Sequence, residues 1–300
     1  MTSAAPGFDI LLPYYGDVGQ MQDAVRSVLA QDGDDWRLTV VDDGREPGVP
    51  EWFEELADPR VRYFRNPQNL GVTGNFNRCV ELAEYERMVM MGCDDLMHPN
   101  YLAVVRAALA RHPEAWLVQP GVEVIGSDGQ PYDTLADRTK RMIYAPKQPP
   151  AGLLGGEELA ASLLRGNWLY FPSVCWRTED VRRHGFRKDL GVIQDLALVV
   201  DLLLDGATLA VSPELCFSYR RHAASESSAK AFSGERFDEA RRFFAETGDR
   251  LEAHGWHRAA KVSRLHLSSR LHALTMLPGA VTKAGLPGAR AMIRHAVRSR

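Results

Sequence analysis

The apolar positions of this chain recur with two periods that alternate along its first half. Asp9-Ile10-Leu11-Leu12-Pro13 is a short apolar run ending at a proline, which predicts a strand running into a loop. Over residues 18–31 the apolar positions are Val18, Met21, Val25, Val28 and Leu29, the spacing of one helix face. Leu38-Thr39-Val40-Val41 predicts a second strand, stopping at Asp42-Asp43-Gly44. A helix around 49–57, a strand at Val61-Arg62-Tyr63-Phe64 and a helix over 73–84 come next. Met88-Val89-Met90-Met91 reads as a fourth strand, stopping at Gly92-Cys93-Asp94-Asp95, and Pro99 opens a helix that runs to about Arg111.

The second half is less regular. A strand is expected over 115–125, and residues 126–156, rich in Gly, Pro, Asp and Lys, read as a long loop. A loop of that length in a compact domain usually carries function or motion. A helix near 157–165 leads to the aromatic stretch Asn167-Trp168-Leu169-Tyr170-Phe171-Pro172 and a strand at 173–177. An apolar helix over 193–204 ends at Gly206, and strand-like residues 207–211 precede Phe217-Ser218-Tyr219-Arg220-Arg221-His222. From about 232 to 275 the pattern is helical, and Pro278-Gly279 and Pro287-Gly288 break the last 25 or so residues.

Strands separated by helices imply βαβ units, hence an α/β fold with a mostly parallel sheet flanked by helices. The expected division is a sheet domain over 1–230 and a basic helical extension over 231–300. In such sheets ligands bind beyond the carboxyl ends of the strands. Pro13-Tyr14-Tyr15, Asp42-Asp43-Gly44 and Asp94-Asp95 are therefore expected to converge on one crevice.

Composition narrows the class. With 45% hydrophobic and 25% charged residues, the chain is that of an ordinary globular protein. No apolar run is long enough to span a bilayer, and Met1 to Gly7 is too short and polar for a signal peptide, so a cytoplasmic protein is expected. Cys79, Cys93, Cys175 and Cys216 contain no C-x-x-C pair, which argues against a zinc site or a disulfide framework. The net charge of −3 hides an asymmetry: nine basic residues and no acidic one come after Glu252, which puts −12 on residues 1–253. Such a tail suits peripheral contact with an anionic membrane face, cover over an acceptor, or a homodimer interface, although basic helix faces are more often simply solvated or paired with acidic neighbours. An acidic body and a tail without interleaved aromatics argue against nucleic-acid binding.

The chemistry lies in the acidic pairs. Adjacent carboxylates at Asp94-Asp95 repel unless something neutralises them, and a hard cation such as Mg2+ or Mn2+ does so with help from substrate phosphate. Helix capping ahead of Pro99 explains them equally well. A carboxylate at Asp42-Asp43 can accept from a base or ribose, though Asp-Gly is also a turn signal. Asn69-Leu70-Gly71-Val72-Thr73-Gly74-Asn75 is a glycine-containing loop before a helix, a place suited to phosphate. Its spacing is neither G-x-G-x-x-G nor the P-loop, against a dinucleotide oxidoreductase or a P-loop NTPase.

Pro13-Tyr14-Tyr15, Val41-Asp42-Asp43-Gly44, Asn69-Leu70-Gly71 and Asp94-Asp95, then Gly185-Phe186, Gln194-Asp195 and Tyr219-Arg220-Arg221-His222, resemble in order and spacing the family 2 glycosyltransferases of GT-A fold. The resemblance covers roughly residues 8–225. It implies that Pro13 and Tyr14 line the base pocket, that Asp42 reads the base with Asp43 nearby, and that Asp94 meets the donor ribose or the metal. It implies Asp95 as the metal ligand at the diphosphate, Asp195 as the catalytic base and His222 as a histidine that contacts metal or diphosphate. Arg220 or Arg221 is positioned to grip phosphate.

The implied reaction is single-sugar transfer, with inversion, from a UDP- or dTDP-sugar to a hydroxyl of a glycan, lipid-linked or small-molecule acceptor, with Mn2+ or Mg2+ at the diphosphate. Three features depart from the family pattern. Cys93 stands where a full D-x-D has an acid, Gln194 where many members have Glu, and the Q-x-x-R-W motif of processive synthases is absent. Two other readings compete. A nucleotidyltransferase needs a glycine-rich basic loop after the first strand, and Pro13-Tyr14-Tyr15-Gly16-Asp17 is not one. A non-catalytic nucleotide- or glycan-binding module of the same fold is the other; Asp95 and Asp195 speak against it. Apart from the resemblance, Asp195 reads as a helix cap, His222, His254 and His257 as surface histidines, and Trp168, Tyr170 and Trp176 as either a stacking surface or core.

Overall fold

The computed structural model describes residues 5–132, 152–221 and 235–267, with Ser269, Arg270, Ala273, Met292 and Ile293. The elements run β1 (Ala5–Tyr14), α1 (Val18–Leu29), β2 (Trp36–Asp42), α2 (Val49–Leu56), β3 (Val61–Arg65), α3 (Gly71–Leu82), β4 (Tyr85–Met90), β5 (Leu96–Met97), α4 (Tyr101–Arg111) and β6 (Leu117–Ile125). They continue β7 (Leu153–Gly155), α5 (Gly156–Arg165), a 3-10 turn (Phe171–Ser173), β8 (Cys175–Arg177), α6 (Thr178–His184), α7 (Gln194–Leu204), β9 (Thr208–Arg220), α8 (Glu235–Ala253) and α9 (His257–Leu265).

One mixed sheet has the order β3-β2-β1-β4-β8-β6-β9-β5, with β7 on β9. β1 to β4 are mutually parallel where they pair, β6 is parallel to β9, and β8 runs antiparallel between β4 and β6. The parallel strands bring the ends of β1, β2 and β4 to one edge, as the crossover rule requires. Period-2 alternation sorts the strand side chains between two cores. Ile10, Leu12, Tyr14 and Val89 face α1, α2 and α4, whereas Leu11, Met88 and Met90 face α3, α5 and α7. Phe243, Phe244 and Leu251 of α8 belong to that second core, so the C-terminal helices pack as part of it.

The first-half elements lie within a few residues of expectation. The second half differs in three places. The strand expected at 207–211 continues to Arg220, because β9 is paired by β6, β5 and β7 and can bury polar Ser212, Ser218 and Arg220 there. Helix α6 has only Val181 as a buried apolar residue and so shows no helical period. The helical pattern over 232–275 is broken at Gly255, whose φ of 86° ends α8. Most of the expected loop 126–156 lies outside the described residues.

A candidate nucleotide-sugar site at the strand ends

A cavity of about 1020 Å3 opens at the carboxyl ends of β1, β2 and β4. Pro13, Tyr14, Asp43, Asn69, Gly71, Asp94, Asp95, Asp195, Arg220 and Arg221 all line it. Tyr15, 65% exposed, stands at its rim. Asp42 does not line it. Its fully buried carboxylate accepts from Tyr63 Oη, from Arg65 Nε at 2.7 Å and from the Gly44 N–H at 2.8 Å, so its oxygens are turned to the β2–β3 side. His222 lies outside the described residues.

Asp43 holds the phosphate-type loop. Its carboxylate accepts from the N–H groups of Leu70 and Gly71 at 2.8 and 2.9 Å and from Asn66 Nδ2 at 2.8 Å. Asn69 Nδ2 donates to the Asp43 carbonyl, and Asn75 Nδ2 to that of Val41. Gly71 has φ of 71°, a left-handed conformation that costs glycine least. The first turn of α3 is therefore committed to Asp43, which ties the β2 end to the loop before α3. Tyr14 Oη donates to the Gly16 carbonyl, and burial, together with the Asp42 charge, raises its pKa.

Behind β4 the chain doubles back at Gly92. A Cβ there would lie 2.4 Å from Asp95 Oδ2 and 3.0 Å from Asp94 Oδ1, so only glycine lets both carboxylates fold over this turn. Asp95 is 1% exposed and accepts from the Arg220 N–H at 2.7 Å. Burial, then the Asp94 charge, pushes its carboxyl well above the usual range. The Arg220 guanidinium donates to the carbonyls of Asp94 at 2.7 Å, Gly126 at 3.2 Å and Ser127 at 3.3 Å. It is a strut between the β4 turn and the end of β6, and Arg221 is half-buried on the cavity wall. Tyr219 sits among Asp95, Asp94 and Asp195, and burial and then the Asp95 charge push its pKa up to about 12. The Cys93 thiol is likewise pushed up to about 12, by burial and then Asp94, so it stays protonated.

Among the described residues no group of three or more His, Cys, Asp or Glu side chains could hold a metal by itself. Asp94 and Asp95 supply two carboxylates beside open cavity, the donor set on which Mg2+ or Mn2+ binds when diphosphate oxygens and water complete the shell. In that sense the residues fit a divalent ion.

The opposite wall is built by later segments. Asp195 lies in the first turn of α7, and Asn167 Nδ2 donates to its Oδ2 at 3.0 Å. Phe76, Leu169, Phe171 and Ile193 are partly buried there, with Phe237 and Phe244 of α8 behind them. Tyr170 lies against Tyr219 with ring centroids 5.4 Å apart. Trp176, 1% exposed, is core, and Trp168 donates from Nε1 to Ser162 Oγ at 3.0 Å with its edge on the cavity. His254 and His257 are exposed on the far helices. All four cysteines are free thiols.

Sequence reasoning missed the roles of Gly92, Asn66, Asn167 and Glu239. Gly92 carried a signal, as a glycine between a strand and an acidic pair. Asn167 and Glu239 meet the site only through tertiary structure, and nothing local to them marks it.

A sheet with acidic strand ends converging on a cavity of this size is the architecture of a nucleotide-sugar-binding α/β protein, and the overall fold is that of the GT-A enzymes. The chain matches along 97% of its length a crystal structure of Staphylococcus aureus TarS in complex with UDP-GlcNAc, covering 81% of that chain at a TM-score of 0.69 and 16% identity. It matches along 98% the mannosyltransferase PcManGT of Pyrobaculum calidifontis in complex with GDP-Man and Mn2+, covering 87% of that chain at a TM-score of 0.58 and 16% identity. Residues 9–156 match the profile of "Glycosyl transferase family 2", and the chain belongs to that family. An uncharacterized Mycobacterium tuberculosis protein, MT1568, is 24% identical over 238 residues, 78% of this chain and 72% of that one. The chain spans less than two thirds of other curated relatives, several of them named as glycosyltransferases. Among the described residues no helix is long and apolar enough to cross a membrane.

Proposed function

We propose that this family 2 glycosyltransferase is an inverting hexosyltransferase that moves one sugar from a nucleoside-diphosphate donor, UDP or dTDP in the first instance, to a hydroxyl acceptor. The observation that carries the proposal is that Asp43, Asp94, Asp95 and Asp195, from three separate strand or helix ends, open on one cavity. Tyr14, Asp43 and the Asn69–Gly71 loop form the base and ribose side, with Asp42 supporting it from behind through Tyr63 and Arg65. Asp94 and Asp95 would hold Mn2+ or Mg2+, which offsets negative charge on the departing diphosphate. Arg221 adds a positive group to the same wall.

Asp195 is the base. Asn167 holds its carboxylate through Oδ2, and that carboxylate takes the acceptor proton as the hydroxyl attacks the anomeric carbon. One base and one direct displacement invert the configuration. The partly buried aromatic and aliphatic groups beside Asp195 exclude water from the attack.

Release of nucleoside diphosphate from UDP-GlcNAc, GDP-mannose and other nucleotide sugars tests this, with NMR of the released sugar to read its anomer. Asp195→Asn should reduce turnover on the order of 10²–10⁴-fold while UDP or GDP binding persists. Full turnover in Asp195→Asn, or product with retained configuration, refutes the assignment.

A further inference from the structure

Helix α7 begins without a cap of its own. The residue at its N-cap is Ile193, whose side chain offers nothing to the free N–H groups of the entry loop. Most helices meet that need locally, as Asp17 does for α1 by accepting from the Gln20 N–H at 2.8 Å. Here a carboxylate 46 to 48 residues away along the chain instead takes the amides of the residues that lead into the helix. Glu239, in the second turn of α8, accepts from the N–H of Gly191 at 2.9 Å through Oε2, and from those of Val192 at 2.9 Å and Ile193 at 3.1 Å through Oε1. Three successive amides on one half-buried carboxylate fix the chain that delivers Asp195 into the cavity two residues later.

The clamp is placed between two functional surfaces. Upstream of the loop, the Leu190 carbonyl accepts from Thr73 Oγ1 of α3, the helix that comes after the donor-side loop. On α8, Phe237 and Ala240 lie beside Glu239 in sequence and both line the cavity. Other ties of α8 to the body, Arg187 to Glu246 at 2.9 Å and Arg250 to Asp201 at 2.6 Å, hold the helix without touching the 191–193 loop.

We infer that Glu239 is a positioning residue for the catalytic base: α8 sets the 191–193 loop through this one carboxylate, and with it the aim of Asp195. The inference rests on the reading of Asp195 as the base. It makes the first C-terminal helix a part of the catalytic unit and not an appendage.

The test compares full-length Glu239→Ala, Glu239→Gln and Glu246→Gln with wild type. Glu246→Gln removes a tie of α8 to the body but leaves the clamp. Amide hydrogen exchange is read over residues 190–197, and turnover as nucleotide release from whichever of UDP-GlcNAc or GDP-mannose the wild type consumes. We expect faster exchange confined to that segment in Glu239→Ala and a drop in kcat on the order of tenfold to a hundredfold. Glu239→Gln, which keeps one accepting oxygen, should fall between Glu239→Ala and wild type, with donor KM in both within about twofold of wild type. Glu246→Gln should change neither reading.

Unchanged exchange in Glu239→Ala overturns the clamp itself. Faster exchange with unchanged kcat, in an enzyme that Asp195→Asn inactivates, overturns the positioning role, as does an equal kcat loss in Glu246→Gln. If instead Asp195→Asn leaves turnover intact, the base assignment has failed, and the exchange data still report on the clamp.

Discussion

The two walls of the cavity are built in different ways. The donor-side wall comes from strand ends and the turns directly after them, and its groups bond to the loop before α3 and to another strand end: Asp43 to Leu70 and Gly71, Asp95 to the Arg220 amide. The acceptor-side wall is assembled from α5–α7, the 3-10 turn and α8, and its key contacts join helices and the loops that lead into them, Asn167 to Asp195 and Glu239 to residues 191–193. Under the proposed function, nucleotide recognition is tied to the sheet and acceptor binding to the helices.

Gly92→Ala should strike the donor wall hardest. The new Cβ displaces Asp95 from its turn, and nucleotide release should fall on the order of 10²-fold, since misplacement of about 1 Å is enough. A variant of near wild-type turnover would mean that the Gly92 turn does not set the carboxylates. The adjacent arginines should then separate stability from binding. Arg220→Met leaves three carbonyls without their buried donor and should cost about 2–4 kcal/mol in urea unfolding. Arg221→Met should change stability by less than about 1 kcal/mol yet raise donor KM about tenfold. The reverse pattern would exchange their roles.

That contrast also explains how much of the molecule could be read from its sequence. The donor wall was legible because a strand end and its turn are contiguous: apolar runs that stop at Asp42-Asp43-Gly44 and Gly92-Cys93-Asp94-Asp95 announce both the strand and its polar terminus. Even there the pattern did not separate Asp42 from Asp43. Which of two neighbouring carboxylates points to the cavity depends on partners such as Tyr63 and Arg65 across the sheet. Arg220 and Arg221 pose the same difficulty: Arg220, the last residue of β9, has its guanidinium on three carbonyls, whereas Arg221 just after it is half-buried on the cavity wall. On the acceptor wall Asp195 is named through family resemblance, and Trp168 and Tyr170 only as aromatics that could stack or be core. Glu239 sits in a helix whose polar positions mix acidic and basic residues, so its sequence does not set this glutamate apart, and β9 is longer than its apolar segment because pairing on both edges shelters its polar residues.

The smallest expected effect concerns the far side of the acceptor wall. His266 stacks on Phe244 at a ring separation of 5.2 Å, and burial, more than the Arg270 charge, lowers its pKa below the ordinary 6.5. A depressed histidine favours the folded state above its unfolded pKa, and that contribution is lost as pH falls from 6.5 through the folded value. Melting temperature should therefore decline below that pH, and His266→Asn, which tolerates the left-handed φ of 31°, should flatten the decline. An unchanged acid limb would remove His266 from the account.

The central claim is that the acidic strand ends bind a nucleoside diphosphate with a divalent ion, independently of the base on the other wall. Thermal unfolding with UDP, dTDP or GDP, each with and without Mn2+ or Mg2+, tests it most directly in wild type, Asp95→Ala and Asp195→Asn, since a ligand of the folded state raises the midpoint by mass action. The account predicts a rise for at least one diphosphate that needs the metal, survives Asp195→Asn and vanishes in Asp95→Ala. No rise with any diphosphate in wild type, or an undiminished rise in Asp95→Ala, would contradict it.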